Sequence, residues 1–167
     1  MKQIYEAEKE LQGELCWFES DGVLRLSCSL AIHGVLLEGL ELYARTNVED
    51  VDKDVVFMLR TGSKKSGYEL LERICWRPKR PHSNKGRGPK KHRFTLITGG
   101  HVHSMYLNWY AEEGRMLKSN LPIAEPLDIN SLNIEEVFNT VITRFSIKLI
   151  GQKFEAPPWQ RDLFDYE

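Results

Sequence analysis

The feature that most constrains the fold is a regular alternation of apolar and polar residues between Leu24 and Ile32. A period of two is typical of a β-strand with one buried face and one solvated face. Such a strand needs partner strands beside it and a second layer over its apolar face. The pattern therefore predicts a layered fold built on antiparallel strands. The apolar positions are Leu24, Leu26, Cys28, Leu30 and Ile32.

Turn signals on both sides of this strand extend the prediction to neighbouring strands. Asp21-Gly22 precedes it and His33-Gly34 follows it, and both pairs favour tight turns between antiparallel strands. The next predicted strand runs over 35–44, and its apolar phase changes at Gly39, which is typical of a β-bulge. Further strands are predicted over 55–60 and over 68–76, and a helix is the alternative for the second of these segments.

Helical patterns occur at the two ends of the chain. Residues 2–12 are rich in helix formers and precede Gly13, so a short N-terminal helix is predicted there. Asn133 and Glu136 form a variant of the capping box ahead of an apolar face that repeats at helical spacing up to Phe145. The predicted fold class is α+β. It consists of a curved antiparallel sheet of six to seven strands, a C-terminal amphipathic helix packed on one face, and the short N-terminal helix.

A length of 167 residues favours one domain, which we assign to 1–156, followed by an aromatic C-terminal tail over 157–167. The tail is predicted to dock on this domain, on a second copy of the chain or on a protein partner. The three cysteines are widely spaced and form no Cys-x-x-Cys pair, which indicates free thiols in a reducing compartment. The chain has no secretory signal and no apolar run of about 20 residues, so a cytoplasmic protein without a membrane partner is predicted.

The segment 77–93 holds eight basic residues in seventeen positions and no acidic residue. It also contains prolines and glycines that exclude a helix, so a long exposed loop is predicted. Such a positive density favours a polyanion, above all single-stranded nucleic acid, and RNA in particular, or another phosphate-bearing ligand. Trp76 and Phe94 flank the loop and are expected to stack on exposed bases. The predicted nucleic-acid-binding residues are Trp76, Arg77, Lys79, Arg80, Asn84, Lys85, Arg87, Lys90, Lys91 and Arg93.

Gly99-Gly100 predicts a two-residue hairpin turn between strands over 92–98 and 101–110. In that register Thr98 lies opposite His101, and the side chains of His101 and His103 share one face. Two such imidazoles can ligate a metal ion or can act as acid and base toward a phosphate. The hairpin contains no Asp or Glu to complete a ligand set, so no metal and no other cofactor is predicted.

The stretch from Arg73 to Pro158 resembles an uncharacterised family of small bacterial proteins. The motifs that carry the resemblance are a His-x-Asn turn with glycine just after it, here His82-Ser83-Asn84-Lys85-Gly86, a His-x-His strand, here His101-Val102-His103, and an amphipathic helix over 134–145. The resemblance implies a shared site but no particular reaction. It also implies that His82 and Asn84 lie beside His101 and His103.

Two functions of different classes follow, and the sequence leaves open whether the protein is an enzyme. The first is a nucleic-acid-directed protein acting as a metal-independent ribonuclease of toxin or defence type. In it His101 and His103 are general acid and base, and His82 or Arg93 stabilises charge in the transition state. The second is a non-catalytic adaptor that binds through the basic loop and the aromatic tail. An enzyme needs the histidines and several basic groups around one concave site, whereas an adaptor needs only an exposed patch.

Overall fold

The computed structural model describes residues 1–63, 65–117 and 120–158. The tail from Trp159 onward lies outside the described residues, so its predicted docking stays a prediction. Within the described ranges, no helix is both long and apolar enough to cross a membrane. The elements in chain order are α1 Lys2–Glu6, β1 Lys9–Gln12, β2 Trp17–Ser20, β3 Val23–Ile32, β4 Val35–Asn47, β5 Val55–Ser63, β6 Gly67–Trp76, β7 His82–Ser83, β8 Leu96–Ile97, β9 His101–His103, α2 Met105–Asn108, β10 Trp109–Tyr110, β11 Arg115–Met116, β12 Glu125–Pro126, α3 Ile134–Arg144 and β13 Ile147–Lys148.

The main sheet is mixed and is larger than the predicted six or seven strands. Its strand order is β12-β9-β6-β5-β4-β3-β1-β13, and β2 also pairs with β3. Every pair is antiparallel except β1 with β13, which is parallel. The prediction missed the strands at both edges because segments of two to four residues are too short to show a period of two. The α+β class is confirmed, with little helix and much sheet.

The predicted N-terminal helix over 2–12 is only half correct. Helix α1 ends at Glu6, and the chain continues as β1, which lies between β3 and β13. Lys9 is fully buried in β1, and its ammonium donates hydrogen bonds to the carbonyl oxygens of Tyr5, Ala7 and Phe145 at 2.8, 2.7 and 3.0 Å. Pairing with two strands and burial of Leu11 therefore outweigh local helix propensity.

The central strands follow the prediction closely. Asp21 and Gly22 have φ of 55° and 70°, as the tight turn between β2 and β3 requires. The pairing of β3 with β4 shifts register between Ser29 and Ala31, close to the predicted irregularity at Gly39. Gly39 has φ of 79°, and an added Cβ there would lie 2.2 Å from the carbonyl oxygen of Gly62. A close approach of β4 to β5 therefore requires glycine at this position.

Helix α3 covers one face of the sheet. Asn133 and Glu136 form both hydrogen bonds of the capping box at its N-terminus, as predicted. The ring of Phe138 on the buried side of α3 lies 6.3 Å from that of Phe57 on β5 and stacks on Phe154 at 4.0 Å. The core formed between this helix and the sheet includes Leu26, Leu42, Phe57, Ile74, Val102, Val137, Phe138 and Val141.

The strand residues that alternate with this core point away from α3, and we call the surface they form the open face. Its register aligns residues in rows across the strands: His101 pairs with Cys75, Cys75 with Val56, Val56 with Arg45, and Arg45 with Arg25. A second row runs beside the first. The open face comprises Arg25, Ser27, Tyr43, Arg45, Val56, Met58, Arg73, Cys75, His101 and His103.

Candidate functional site

Three histidines that lie apart in the sequence form one cluster on the open face. The ring centroid of His82 lies 5.4 Å from that of His101 and 4.6 Å from that of His103, and the rings of His101 and His103 are 5.1 Å apart. His101 and His103 belong to β9, whose partners on β6 are Cys75 and Arg73. The predicted proximity of His82 to the His-x-His strand is confirmed.

The route by which the chain brings these rings together differs from the predicted hairpin. Strand β9 pairs with β6 and β12, whereas β8 pairs with β7, so Thr98 and His101 are not cross-strand partners. An added Cβ at Gly100 would lie 2.7 Å from the carbonyl oxygen of Leu127 and 2.5 Å from a side-chain carbon of Ile129. The two glycines therefore permit a close crossing with segment 127–130 and do not form a two-residue turn.

The strand predicted over 101–110 is also shorter than expected. It ends at His103, because Ser104 is the N-cap of α2 and its hydroxyl accepts a hydrogen bond from the Leu107 amide. Serine at this position competes with strand continuation, since its side chain satisfies a free amide of a helix start. His101 and His103 still share one face, as predicted.

Asn84 fixes the position of His82. Its carboxamide is fully buried and donates to the carbonyl oxygens of Ala124 and His92 at 2.9 and 3.1 Å. Its Oδ1 accepts from the Ala124 amide at 2.8 Å and from His82 Nε2 at 3.1 Å. The His-x-Asn turn is thus tied to the segment around 124, and Asn84 acts as an anchor and not as a surface contact for nucleic acid.

Each imidazole of the cluster contacts a main-chain carbonyl oxygen through one ring nitrogen. Because a carbonyl oxygen only accepts, that nitrogen carries the proton and the other nitrogen carries the lone pair. Burial lowers the pKa of all three rings, and that of His103 falls to about 2, which keeps the cluster neutral at pH 7. The contacts are His101 Nδ1 to Gly99 at 2.9 Å, His103 Nδ1 to Leu121 at 2.6 Å and His82 Nε2 to Pro122 at 3.2 Å.

Arg73 brings a positive charge to the floor of this cluster. Its Nη2 lies 2.9 Å from His103 Nε2, and its buried Nε has no hydrogen-bond partner among the residues that the structure describes. Within the described ranges, no carboxylate forms an ion pair with this guanidinium. Burial of a cationic N–H donor without an acceptor or a counter-ion costs free energy. The floor of the cluster therefore favours an anionic ligand.

The cluster lines a cleft of about 510 Å³. Four of the lining side chains are basic, namely Arg45, Arg73, Lys79 and Arg80, and one, Asp54, is acidic. A concave surface with this positive potential attracts anions, of which a phosphodiester is one. We call this the histidine cleft; its lining also includes Val56, Met58, Cys75, Pro78, Pro81, His82, His101 and His103.

One set of donors in the histidine cleft has the geometry of a metal site. The donor atoms of Cys75, His101 and His103 lie within 4.8 Å of one another, and thiolate with imidazole is a donor set typical of zinc. Two features oppose a cation there: the Arg73 guanidinium contacts the His103 ring, and burial raises the pKa of the Cys75 thiol. The donor set fits a soft divalent ion, but the surrounding charge favours an anion.

The predicted phosphate-binding residues of the basic loop fall into different environments. Arg77 forms an ion pair with Asp52 at 2.9 Å, and Lys79 forms one with Asp50 at 3.4 Å. Arg87 and Arg93 donate to main-chain carbonyl oxygens of the loop itself. In the part of the chain that the structure describes, four basic side chains of the loop have neither an ion pair nor a hydrogen bond: Arg80, Lys85, Lys90 and Lys91.

The two aromatic residues expected to stack on bases have opposite placements. Trp76 is 1% exposed, and its indole donates to the Ile129 carbonyl oxygen at 2.9 Å, so the expectation that it stacks on bases is corrected. Trp76 lies on β6 at a position whose side chain points into the core. The stacking prediction took account only of its position beside the loop. Phe94 is 84% exposed beside the loop and is free to contact a base.

Sequence reasoning missed Arg73, Cys75 and Arg45 as site residues. Arg73 and Cys75 occur in a segment that was predicted as a strand, and their alternation with Ile74 and Trp76 assigns them to the face opposite the core. Only the pairing of β6 with β9 puts them beside the histidines, and that pairing joins segments 30 residues apart. Cross-strand neighbours of this kind have no local signal.

Comparison with known proteins gives no relative for this chain. No family model matches it, and no curated protein sequence or solved structure matches it significantly.

Proposed function

We propose that this protein binds single-stranded nucleic acid and cleaves RNA phosphodiester bonds in the histidine cleft. The observation that supports this most strongly is the convergence of three neutral imidazoles on Arg73, whose buried Nε has no hydrogen-bond partner within the described ranges. Basic side chains surround these groups in one concave site. Convergence of this kind favours an enzyme over an adaptor, which would need only an exposed patch.

The proposed reaction is an intramolecular transesterification of RNA. His101 is the general base, because its Nε2 lone pair is free while Nδ1 is held by the Gly99 carbonyl oxygen. It takes the proton of the ribose 2′-hydroxyl as the O2′–P bond forms and the P–O5′ bond breaks. His82, protonated in the complex with the anionic phosphate, gives the proton of its Nδ1 to O5′. The products are a 2′,3′-cyclic phosphate and a 5′-hydroxyl.

In this proposal His103 is a positioning residue and does not transfer protons. It is fully buried, its Nδ1 contacts the Leu121 carbonyl oxygen, and Arg73 occupies its Nε2 side. The ring therefore holds the guanidinium toward the bound phosphate. Arg73 would stabilise the charge that develops on the phosphorane oxygens in a site of low dielectric constant.

Phosphates of the strand on either side of the scissile one would bind to the unpaired cations in and around the histidine cleft. These are Arg45 on the open face and the four free side chains of the basic loop. Together with Arg73 they make six cations. For a single strand, each phosphate neutralised contributes about −0.7 to the slope of log K against log salt. Binding of single-stranded RNA should therefore show a slope of about −4, measured by fluorescence anisotropy.

The test is cleavage of a labelled single-stranded RNA in the presence of a chelator. His101→Asn and His82→Asn are expected to lower the rate constant by at least about 100-fold, the usual contribution of a general acid or base. His33→Asn is the matched control, since His33 lies at an exposed turn with φ of 52°, which asparagine tolerates. It should cleave at the wild-type rate.

Each alternative has its own result in this test. Salt-dependent binding without cleavage would favour the non-catalytic adaptor. Loss of cleavage with the chelator and recovery with zinc would favour a metal centre at Cys75, His101 and His103. A protein that neither binds nor cleaves single-stranded RNA at low salt would overturn the proposal.

A further inference from the structure

A second cleft lies on the open face and has no role in the proposed chemistry. Its volume is also about 510 Å³, and its lining includes Phe18, Arg25, Tyr43, Arg60 and Tyr68. Three of these five side chains are aromatic. A cleft on a sheet surface that combines exposed rings with basic groups is typical of surfaces that stack nucleobases.

The register of the sheet connects this cleft to the histidine cleft. The row that begins at His101 passes through Arg45 on β4 and Arg25 on β3, and it ends at Phe18, the partner of Arg25 on β2. Five inter-strand spacings of about 4.8 Å separate His101 from Phe18, which is roughly 24 Å. One extended strand of RNA can therefore reach from the scissile phosphate to the second cleft.

The aromatic groups of the second cleft are held in fixed positions. The Arg60 guanidinium lies 3.7 Å from the ring centroid of Tyr43 and 3.9 Å from that of Tyr68. Glu41 neutralises this guanidinium through an ion pair at 2.7 Å. The Tyr43 and Tyr68 rings are therefore clamped in place before any ligand binds. Phe18, at the end of the row, is 50% exposed. Preorganised rings lose little entropy when a base stacks on them.

We propose that the second cleft is a nucleobase subsite for the RNA strand whose scissile phosphate lies in the histidine cleft. Phe18 stacks on a base, and the clamped tyrosine rings form the wall of the subsite. Arg45, which lines the histidine cleft, and Arg25, which lines the second cleft, contact phosphates of the connecting strand. Arg45 is exposed and has no ion-pair partner among the described residues, which suits that role. The inference rests on the proposed function and assigns the substrate as an unpaired strand several nucleotides long.

The test compares a dinucleotide, which reaches only the histidine cleft, with an octanucleotide of unpaired RNA. For Phe18→Ala and Tyr68→Ala, the ratio of octanucleotide to dinucleotide kcat/KM is expected to fall about tenfold, in the range of losses for one stacked base, because both rings line only the second cleft. Val35→Ala is the control, because Val35 is 62% exposed at the distal tip of the β3–β4 hairpin. It should leave the ratio unchanged.

The outcomes separate this inference from the proposed function. If wild-type protein cleaves both substrates but Phe18→Ala and Tyr68→Ala behave as Val35→Ala does, the subsite is refuted and the histidine cleft still stands. If wild-type protein neither binds nor cleaves the octanucleotide, the proposed function fails first. Tyr68→Ala removes a side chain that is 37% exposed, so it tests the subsite even if Phe18→Ala does not fold.

Discussion

Replacement of Asn84 by alanine should both destabilise the protein and inactivate it. The buried carboxamide has four hydrogen bonds, two to carbonyl oxygens and two from the Ala124 amide and His82. Each bond contributes about 0.5–1.5 kcal/mol, and the buried Ala124 amide is left without an acceptor. The expected loss in the free energy of unfolding is about 3 kcal/mol, and for a chain of this size that lowers Tm by roughly 6–12 °C.

The measurement is urea denaturation with thermal unfolding as a second readout, and RNA cleavage is assayed well below the lowered Tm. Ser83→Ala is the matched control: among the described residues its hydroxyl accepts one hydrogen bond, from the Lys85 amide, so a loss below about 1 kcal/mol is expected. A loss for Asn84→Ala no larger than that of the control would refute the role of Asn84 as the anchor. Full cleavage by a folded Asn84→Ala protein would refute the dependence of His82 on that anchor.

Two further predictions concern pH. Burial lowers the pKa of both His82, the proposed acid, and His101, the proposed base. The pH profile of kcat/KM for RNA should therefore have its optimum on the acid side of pH 6.5. An optimum above about pH 7.5 would exclude this acid–base pair. His103 has a pKa of about 2 in the folded state and is neutral there, whereas it takes up a proton near pH 6.5 once the chain is unfolded. The unfolded state therefore binds more protons, and the free energy of unfolding falls as the pH drops below 6.5. The expected loss from His103 is about 1 kcal/mol between pH 6.5 and 5.5, and urea denaturation at several pH values should show a shallower slope for His103→Asn.

The parts of the fold that could be predicted are those with long periodic patterns. Strand β3, the irregularity in β4 and helix α3 with its capping box all carry several residues of one period, so local sequence determines them. Strands of two to four residues, such as β9 and β12, carry no such pattern. Their pairing depends on which distant segment passes beside them, which is a property of the tertiary structure.

The candidate site divides in the same way. His101 and His103 share a face because alternation along a strand is local, and the resemblance supplied His82 and Asn84. The Gly99-Gly100 pair was misinterpreted because glycine serves both a tight turn and a close crossing of backbones, and only Leu127 and Ile129 distinguish the two. Arg73 was missed because its neighbour across the sheet is 30 residues away.

The carbonyl oxygens of Leu121 and Pro122, which hold His103 and His82, determine when during synthesis the histidine cluster can assemble. The ribosome makes both histidines before these anchors, and the main sheet is completed only when β13 pairs with β1 at the other end of the chain. A chain that has not been synthesised beyond residue 120 therefore carries the basic loop and the histidines without the carbonyl oxygens that hold them. If the histidine cleft cleaves RNA as proposed, the nascent chain at that stage would not yet cleave the message that encodes it.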